Sequence, residues 1–323
     1  MITVLKPGLF TTVQDQGRPG WQAEGVSVGG ALDAASLRLA NLILGNSEGA
    51  AGLECTAVGP VLRFEKAARI AVLGAPIRDL PSRRVVEMAA GEVLSLEAIE
   101  RGGRTYLAVA GGLVVTLVMG SASTAVTAGF GGVDGRPLRA GDQLEIGASK
   151  IDSIPSAGRG WSLSWGWTPP VEERVVVRAL EGPQHGWFDE AMRERFWGAE
   201  FQVTPKSNRM GLRLQGDPIG RSDAREMISE AVTFGSVQIP PDGHPIVLLA
   251  DRQTLGGYPK IASVISADWS RLGRVMPGLR LRFERVSLQE AQYRRERWEK
   301  NLAATRAGLR QKYLLDDEAG SQL

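Results

Sequence analysis

Short apolar runs, separated by glycine or proline, recur along most of the chain. In the first half this pattern predicts strands over residues 2–5, 10–13, 53–58, 61–64, 69–73, 85–88, 93–96 and 104–110. In the second half it predicts strands over residues 175–179, 212–214, 227–232, 236–239, 246–250, 261–265 and 279–283. Residues 2–5 are predicted to form an edge strand. Many short strands at regular turn spacing are typical of a barrel or a sandwich.

A helical pattern interrupts the strands in three places. Residues 34–44 are predicted to form a helix, because Asp33 is a suitable N-cap and Gly45 follows the last turn. Residues 187–197 read as a short helix, and residues 287–313 as a longer one. The longer helix has an apolar stripe opposite several arginines, so a solvated helix packed on the body is favoured over a partner or nucleic-acid contact.

The length of 323 residues exceeds a usual single domain and predicts two. A stretch at 150–171 rich in Ser, Gly, Trp and Pro separates two halves of similar plan, and the similarity suggests an internal duplication. We therefore expect a mainly β protein, with one β domain at 1–165, a second at 166–286, and a C-terminal helix and tail at 287–323.

Composition narrows the class of protein. A hydrophobic content of 43% and a charged content of 23% fit a globular chain, and the formal charge of +2 argues against nucleic-acid binding driven by bulk charge. The N-terminus lacks the pattern of a signal peptide, and no apolar run reaches the roughly 18 residues of a membrane span. Cys55 is the sole cysteine and suits a reducing interior, so a cytoplasmic location is expected.

Polar residues are densest just after the apolar run at 246–250. The candidate catalytic residues lie there, within eight positions: Asp251, Gln253, Thr254 and Tyr258. Gly256 and Gly257 stand among them, and paired glycines let backbone N–H groups approach a ligand. The alternative is a plain hairpin connection whose Asp and Thr bond their own backbone.

Other polar loops supply candidate substrate-binding residues. The set comprises Asp15, Arg18, Asn208, Arg209, Glu230, Gln238, Gly256, Gly257 and Lys260. Arg18 and Arg209 suit a carboxylate or carboxyphosphate, since a guanidinium binds such groups through two hydrogen bonds. Glutamine amides and glycine N–H groups suit polarising an amide carbonyl, and Asp251 or Glu230 suits accepting a proton. For each residue alone, an ordinary turn or surface ion pair remains the alternative.

Several familiar sites do not match the sequence. The chain has no G-x-x-x-x-G-K-[ST], so ATP, if used, is not held by a standard P-loop. His185, His244 and Cys55 lack the spacing of zinc ligands, and no metal is expected. The segment at 120–123 fails the G-x-S-x-G pattern, and Cys55 reads as a buried small hydrophobe rather than a nucleophile.

Three segments carry a family resemblance. TTVQDQGRPGWQAEGVSVGGALD at 11–33, SNRMGLRLQG at 207–216 and SEAVTFGSVQIPPDGHPIVLLADRQTLGGYPKIASVISADW at 229–269 resemble the biotin-dependent carboxyltransferase family. That family includes the C subunit of 5-oxoprolinase, the Kip-inhibitor antagonist proteins, allophanate hydrolase subunit 2 proteins and part of urea carboxylase. The resemblance extends over residues 2–283 and departs from the family pattern at Arg274, where a glutamine is expected.

The resemblance implies two tandem cyclophilin-like β-barrel domains and a Kip-inhibitor-like sister subunit, with the active cleft where the two proteins meet. It implies the ATP-dependent opening of 5-oxoproline to glutamate, completed by a third subunit. One alternative is carboxyl transfer from carboxybiotin to urea or a related amide. That reaction needs a biotin carrier, and no biotinyl attachment signature is visible. Another alternative is a non-catalytic regulator that binds a kinase-inhibitor homologue.

Overall fold

The computed structural model describes residues 1–100, 103–149, 162–164, 166, 172–220 and 226–320, of which 313–320 by backbone alone. The predicted linker at 150–171 lies outside the described residues, except for 162–164 and 166. The chain forms two compact units. The first comprises Met1–Gly17, Ala34–Pro170 and Glu299–Leu323, and the second Arg18–Asp33 and Val171–Trp298. The domain limits drawn from the sequence stay a prediction.

Ten strands of the first unit form two five-stranded sheets. They are β1 Ile2–Lys6, β2 Phe10–Gln14, β3 Gly52–Thr56, β4 Val61–Phe64, β5 Ala68–Gly74, β6 Val85–Met88, β7 Val93–Ser95, β8 Arg104–Val109, β9 Leu113–Val114 and β10 Gln143–Ile146. One sheet has the order β7-β4-β1-β10-β9 and the other β2-β3-β8-β5-β6.

The expectation that the first strand is an edge strand is wrong. β1 lies at the centre of its sheet, with β4 on one side and β10 on the other. Ile2 and Val4 point into the core and are almost fully buried. The alternation of apolar and polar residues tells which face of a strand is buried, but it does not tell how many neighbours the strand has.

A helix covers part of the second sheet. α1, Ala34–Ile43, packs on β5 and β8 and buries Leu37, Leu39 and Ala40 completely; the apolar spacing predicts this burial for Leu37 and Ala40. Cys55 on β3 is also fully buried, and this burial raises the pKa of its thiol far above the ordinary value. A thiol in such surroundings is not a nucleophile at neutral pH, which favours the apolar-filler interpretation.

The second unit contains a closed seven-stranded barrel. Its strand order is β11-β18-β15-β16-β13-β12-β19, and β11 and β19 close it in parallel. A separate two-stranded ribbon pairs β14 with β17. The strands are β11 Arg174–Glu181, β12 Glu200–Val203, β13 Gly211–Gln215, β14 Glu230–Ala231, β15 Ser236–Gln238, β16 Ile246–Leu248, β17 Leu255–Gly256, β18 Lys260–Val264 and β19 Arg280–Arg285.

The polar loop after β16 is not a hairpin connection. β16 and β18 do not pair with each other, because β15 lies between them and is antiparallel to both. The loop therefore crosses over the end of β15. On the way, Leu255–Gly256 forms β17 and pairs with β14.

The helices of the second unit differ in part from the prediction. The helix predicted at 187–197 is a 3-10 turn, His185–Trp187, followed by α2, Glu190–Gly198, because Asp189 caps α2 through the backbone N–H of Met192. A further 3-10 turn, Ser266–Asp268, and α3, Trp269–Arg274, were not predicted. The apolar run of β18 leads directly into them and carries no boundary signal.

The C-terminal helix α4 is longer than predicted, Leu288–Gly320. Leu302 and Leu309 are buried, whereas Leu288 is 61% exposed, so much of the helix is solvated. The prediction of a mainly β chain with few helices and a C-terminal helix is confirmed. Among the described residues, no helix has the length and apolar character needed to cross a membrane.

Replacement of Asp268 by Asn tests what fixes the 3-10 turn beside the barrel. The carboxylate is fully buried and accepts hydrogen bonds from Arg178 N and Nε, both at 2.8 Å, and from its Nη2. The variant leaves the Arg178 cation without its counter-charge, so the free energy of unfolding should fall by about 3 kcal/mol in a urea titration. The Glu200–Arg174 pair, which is more open to solvent, is the control, and Glu200→Gln should cost under about 1 kcal/mol. Equal losses in both variants would contradict the expected importance of burial.

Candidate functional site

The candidate site begins just after β16, at the end of the apolar run. Asp251 N donates to Arg209 O at 3.0 Å, which places the two side chains opposite each other. Arg209 Nε lies 2.8 Å from Asp251 Oδ2, and Nη2 lies 3.1 Å from Oδ1. Both side chains are about nine-tenths buried. This two-pronged ion pair is the geometry in which a guanidinium binds a carboxylate most strongly.

A glycine turn from the N-terminal region packs against this pair. Gly29 N donates to Ala250 O at 3.2 Å, and Arg209 Nη2 donates to Gly30 O at 2.5 Å. Gly29 has a φ of +66°, and a Cβ there would lie 3.2 Å from Arg18 Nη1 and 3.8 Å from Asp251 Oδ1. The positive φ favours glycine at this position, and a Cβ would also crowd the end of the Arg18 side chain. The turn thus brings the predicted residues Arg18, Arg209 and Asp251 together.

A second group of predicted residues forms around the β14–β17 ribbon. Glu230 pairs with Gly256 across the ribbon, and Lys260 Nζ lies 2.5 Å from Glu230 Oε1. Lys260 also donates to Ala231 O at 3.1 Å and is buried. The hydrogen bond from Lys260 lowers the pKa of Glu230, with a smaller contribution from Gln184. The carboxylate is therefore held in its ionised form.

Gln184 ties this group together, although nothing in its sequence surroundings singles it out. Its Nε2 donates to Glu230 Oε1 at 2.8 Å, and its Oε1 accepts from Lys260 N at 3.0 Å. We call Gln184, Glu230 and Lys260 the Lys260 cluster. One amide thus fixes the backbone of the lysine and the carboxylate of the glutamate at once.

Gln238 supports the loop from beneath. It is almost fully buried, and its Nε2 donates to Tyr258 O at 3.2 Å. A Cβ on Gly256 would lie only 2.4 Å from that Nε2, so the glycine permits the close approach of ribbon and amide. The Tyr258 side chain, in contrast, is 43% exposed. Gln238 therefore positions the loop, and the Tyr258 side chain is open to solvent.

The remaining loop residues are more open. Gln253 and Gly257 are exposed, and Thr254 is half-buried. Asn208 is exposed as well, and its Oδ1 accepts from Met210 N at 2.8 Å. That contact is the ordinary turn interaction that the sequence left open as an alternative for this asparagine.

Asp15 belongs to the first unit, where its carboxylate orders a loop. Oδ1 accepts from Ser121 Oγ at 2.7 Å and from Ser123 Oγ at 2.5 Å, and Oδ2 accepts from Ala122 N at 2.6 Å. Gly17 N adds a further bond to Oδ1 at 2.7 Å. The residue is buried, and this pattern is that of a structural carboxylate.

Two further arginines near the site were not selected from the sequence as site residues. Arg252 is 9% exposed, and its Nε and Nη1 donate to Val232 O and Leu249 O at 3.3 and 3.1 Å. Its adjacency to Asp251 was the only signal available. Arg274, the departure from the family pattern, is buried with its Nε 3.3 Å from Asp33 Oδ2. Its contact with a buried acid gives this arginine a structural role.

The arrangement suits the binding and polarisation of a small polar molecule. It offers buried cations and two ion-paired carboxylates, together with exposed amide and phenol groups and a half-buried hydroxyl on one loop. Within the described ranges, no group of three His, Cys, Asp or Glu could hold a metal ion. Charge stabilisation by fixed donors is the chemistry that these side chains can supply.

Replacement of Lys260 by Met tests the electrostatics of the Lys260 cluster. The pKa of Glu230 should rise toward its ordinary value, because the largest stabilisation of the ionised carboxylate is lost. In the wild type this stabilisation is present at neutral pH and disappears as the pH falls through the lowered folded-state pKa. Carbon-detected NMR titration of the glutamate carboxyls measures the change. Lys206→Met removes an exposed lysine of the same unit and should leave the Glu230 titration unchanged.

Comparisons of the sequence and of the structure with known proteins point to the same group of related proteins. A family model described as the carboxyltransferase domain, subdomain A and B, matches residues 24–285. The C subunit of the 5-oxoprolinase of Escherichia coli strain K12 is 42% identical over 297 residues, which are 90% of this chain and 93% of that protein.

More distant relatives are much longer. The urea amidolyase of Saccharomyces cerevisiae is 30% identical over 319 residues, 91% of this chain but 17% of that protein. The crystal structure of the Kluyveromyces lactis urea carboxylase matches with a TM-score of 0.87 at 28% identity, over 94% of this chain and 29% of that chain. This chain therefore spans less than a third of either protein. On the strength of the family model and the close bacterial relative, the chain belongs to the carboxyltransferase domain family, subdomain A and B.

Proposed function

We propose that the chain is the C subunit of an ATP-dependent 5-oxoprolinase, which opens 5-oxoproline to glutamate together with a Kip-inhibitor-like sister subunit and a third subunit. The observation that carries the proposal is the 42% identity to a protein named as the C subunit of 5-oxoprolinase, over 93% of its length. A second protein of that name, from Haemophilus influenzae, is 38% identical over a similar extent. Relatives of this similarity and coverage are a stronger guide than the fold alone.

The proposed reaction is the opening of a lactam, whose amide carbonyl is too stable to hydrolyse at useful rates without coupling to ATP. The candidate catalytic residues Asp251, Gln253, Thr254 and Tyr258 lie on one loop between β16 and β18. In this proposal Gln253 and Tyr258, which are exposed, contact the substrate, and Asp251 acts from a position fixed by Arg209. Lys260 is a cationic donor suited to a carbonyl oxygen that gains negative charge.

ATP enters this proposal as a co-substrate, with no contact assigned to a residue of this chain. A standard P-loop is missing from the sequence. The glycine turn at Gly29 is also a poor phosphate cradle, because its N–H already donates to Ala250 O. The Arg209 guanidinium similarly has a carboxylate partner within the chain, Asp251.

A second candidate function is carboxyl transfer from carboxybiotin to urea or a related amide. The description of the matching family and the similarity to urea amidolyase and urea carboxylase favour it. Biotin would supply the activated carboxyl group, and a biotin carrier would have to come from another chain. A third candidate is a regulator that binds a kinase-inhibitor homologue without catalysis. This function does not require catalytic residues in the loop after β16.

Reconstitution tests these candidates. The chain is combined with its sister and third subunits, and ADP and glutamate are measured from ATP and 5-oxoproline, with each subunit omitted in turn. We expect both products only in the complete mixture. Products that form without this chain would contradict the proposal. A stable complex without product, together with carboxyl loss from carboxybiotin, would favour carboxyl transfer, and neither activity would favour regulation.

Asp251→Asn tests the loop within the same assay. The variant removes the charge that Arg209 binds, so turnover should fall by about a hundredfold, the effect typical of losing one fixed electrostatic contact in an active site. Asp217→Asn, an exposed aspartate of the same unit, is the matched control and should keep full turnover. The comparison holds if both variants keep the circular dichroism spectrum of the wild type and still form the complex. Gln253→Ala, an exposed change, gives an independent measure of the same loop.

A further inference from the structure

Arg252 differs from three other arginines of the second unit whose side chains reach its interior. Arg178, Arg209 and Arg274 each contact a carboxylate, namely Asp268, Asp251 and Asp33. Arg252 is equally buried, yet the hydrogen bonds described for its side chain go to the carbonyl oxygens of Leu249 and Val232. Among the described residues it forms no ion pair. Asp251 is its immediate neighbour, but both oxygens of that carboxylate are bonded to Arg209.

A buried guanidinium without a counter-charge is costly, because it stays protonated at every physiological pH. Carbonyl oxygens compensate only part of the lost hydration. The burial of Arg252 accordingly lowers its pKa. The guanidinium of Arg252 lies at the start of the candidate catalytic loop. An anion that binds there would neutralise its positive charge.

We infer that Arg252 binds the anionic group of the substrate and thereby selects a small carboxylate over a neutral amide. The inference rests on the proposed function and adds a specificity-determining residue to it. A guanidinium has five N–H donors, and the described contacts use one at Nε and one at Nη1. These two bonds fix the plane of the group, so that little side-chain entropy is lost when an anion binds.

The neighbouring contacts keep Arg252 in place for this role. Ser27 Oγ donates to Arg252 O at 2.6 Å, which fastens its backbone to the N-terminal glycine turn. The loop that continues from Arg252 carries the exposed Gln253. A carboxylate held by Arg252 would therefore lie at the beginning of the segment proposed to act on the lactam. Urea carries no such anionic group, so the same residue would give no advantage to a urea-carboxylating site.

The competing explanation is purely structural. In that explanation Arg252 only straps the end of β16 to residue Val232, which follows β14, and any loss of binding in a variant reflects a loosened loop. A structural strap affects charged and neutral ligands alike. An anion-binding residue affects only the charged one.

The test compares two ligands that differ in their charge. The assembled enzyme, and the full-length chain alone, are titrated by calorimetry with 5-oxoproline and with pyrrolidin-2-one, the same lactam without its carboxylate. In Arg252→Met, we expect 5-oxoproline to bind at least about tenfold more weakly, the usual loss for a charge-assisted hydrogen bond, and pyrrolidin-2-one to bind unchanged. Arg213→Met, an exposed arginine on β13, is the control and should change neither affinity.

Arg252→Lys keeps the positive charge. It provides a second test in case Arg252→Met does not fold correctly. It should retain a preference for 5-oxoproline over pyrrolidin-2-one that Arg252→Met has lost. Equal weakening of both ligands in both variants, or no binding of 5-oxoproline by the wild-type assembly, would overturn the inference. Carboxylate binding that depends on Arg252 without turnover of 5-oxoproline would instead refute the proposed function alone. Turnover with binding that is indifferent to Arg252 would refute the inference alone.

Discussion

The second unit is organised by the cost of burying charge. Arginine side chains reach the interior at several points of the barrel, and each one that meets an acid fixes two distant segments to each other. Arg209 and Asp251 hold the ends of two neighbouring strand regions, and Arg209 also binds the Gly30 carbonyl. Arg178 holds the short turn that contains Asp268. These contacts fix the positions of the charged side chains, which is what a preorganised site requires.

Local pattern was sufficient to find most strands, because many of the apolar runs have glycine or proline close to one end. Pairing was not predictable in the same way. β1 looks like an edge strand in sequence but has a neighbour on each side. The loop after Asp251 looks like a hairpin, yet β15 lies between its flanking strands. The wrong edge-strand prediction and the hairpin alternative both concern partners that are remote in sequence, and a pattern of period two carries no information about them.

The same limit applies to the site. Asp251, Tyr258 and Lys260 were selected because polar residues are concentrated around two glycines. Gln184 was missed, because its two hydrogen-bonding partners are distant in sequence. The residues next to it in sequence do not indicate these contacts. Asp15 was selected for good chemical reasons, but the serines of its own unit use its carboxylate. The family to which the chain belongs also contains proteins of different named activities, so the fold leaves the choice of reaction to such individual side chains.

The assignment of Arg18–Asp33 to the second unit bears on how the protein folds during synthesis. This segment leaves the ribosome early, whereas Arg209, which binds the Gly30 carbonyl, follows 179 residues later. Until Arg209 has been synthesised, the segment cannot form this contact with the rest of its unit. The nascent first unit must therefore tolerate a long excursion of unfolded chain. Closure of such a distant contact is slow on the scale of local pairing, so the docking of this early segment is expected to be a late step in the folding of the second unit.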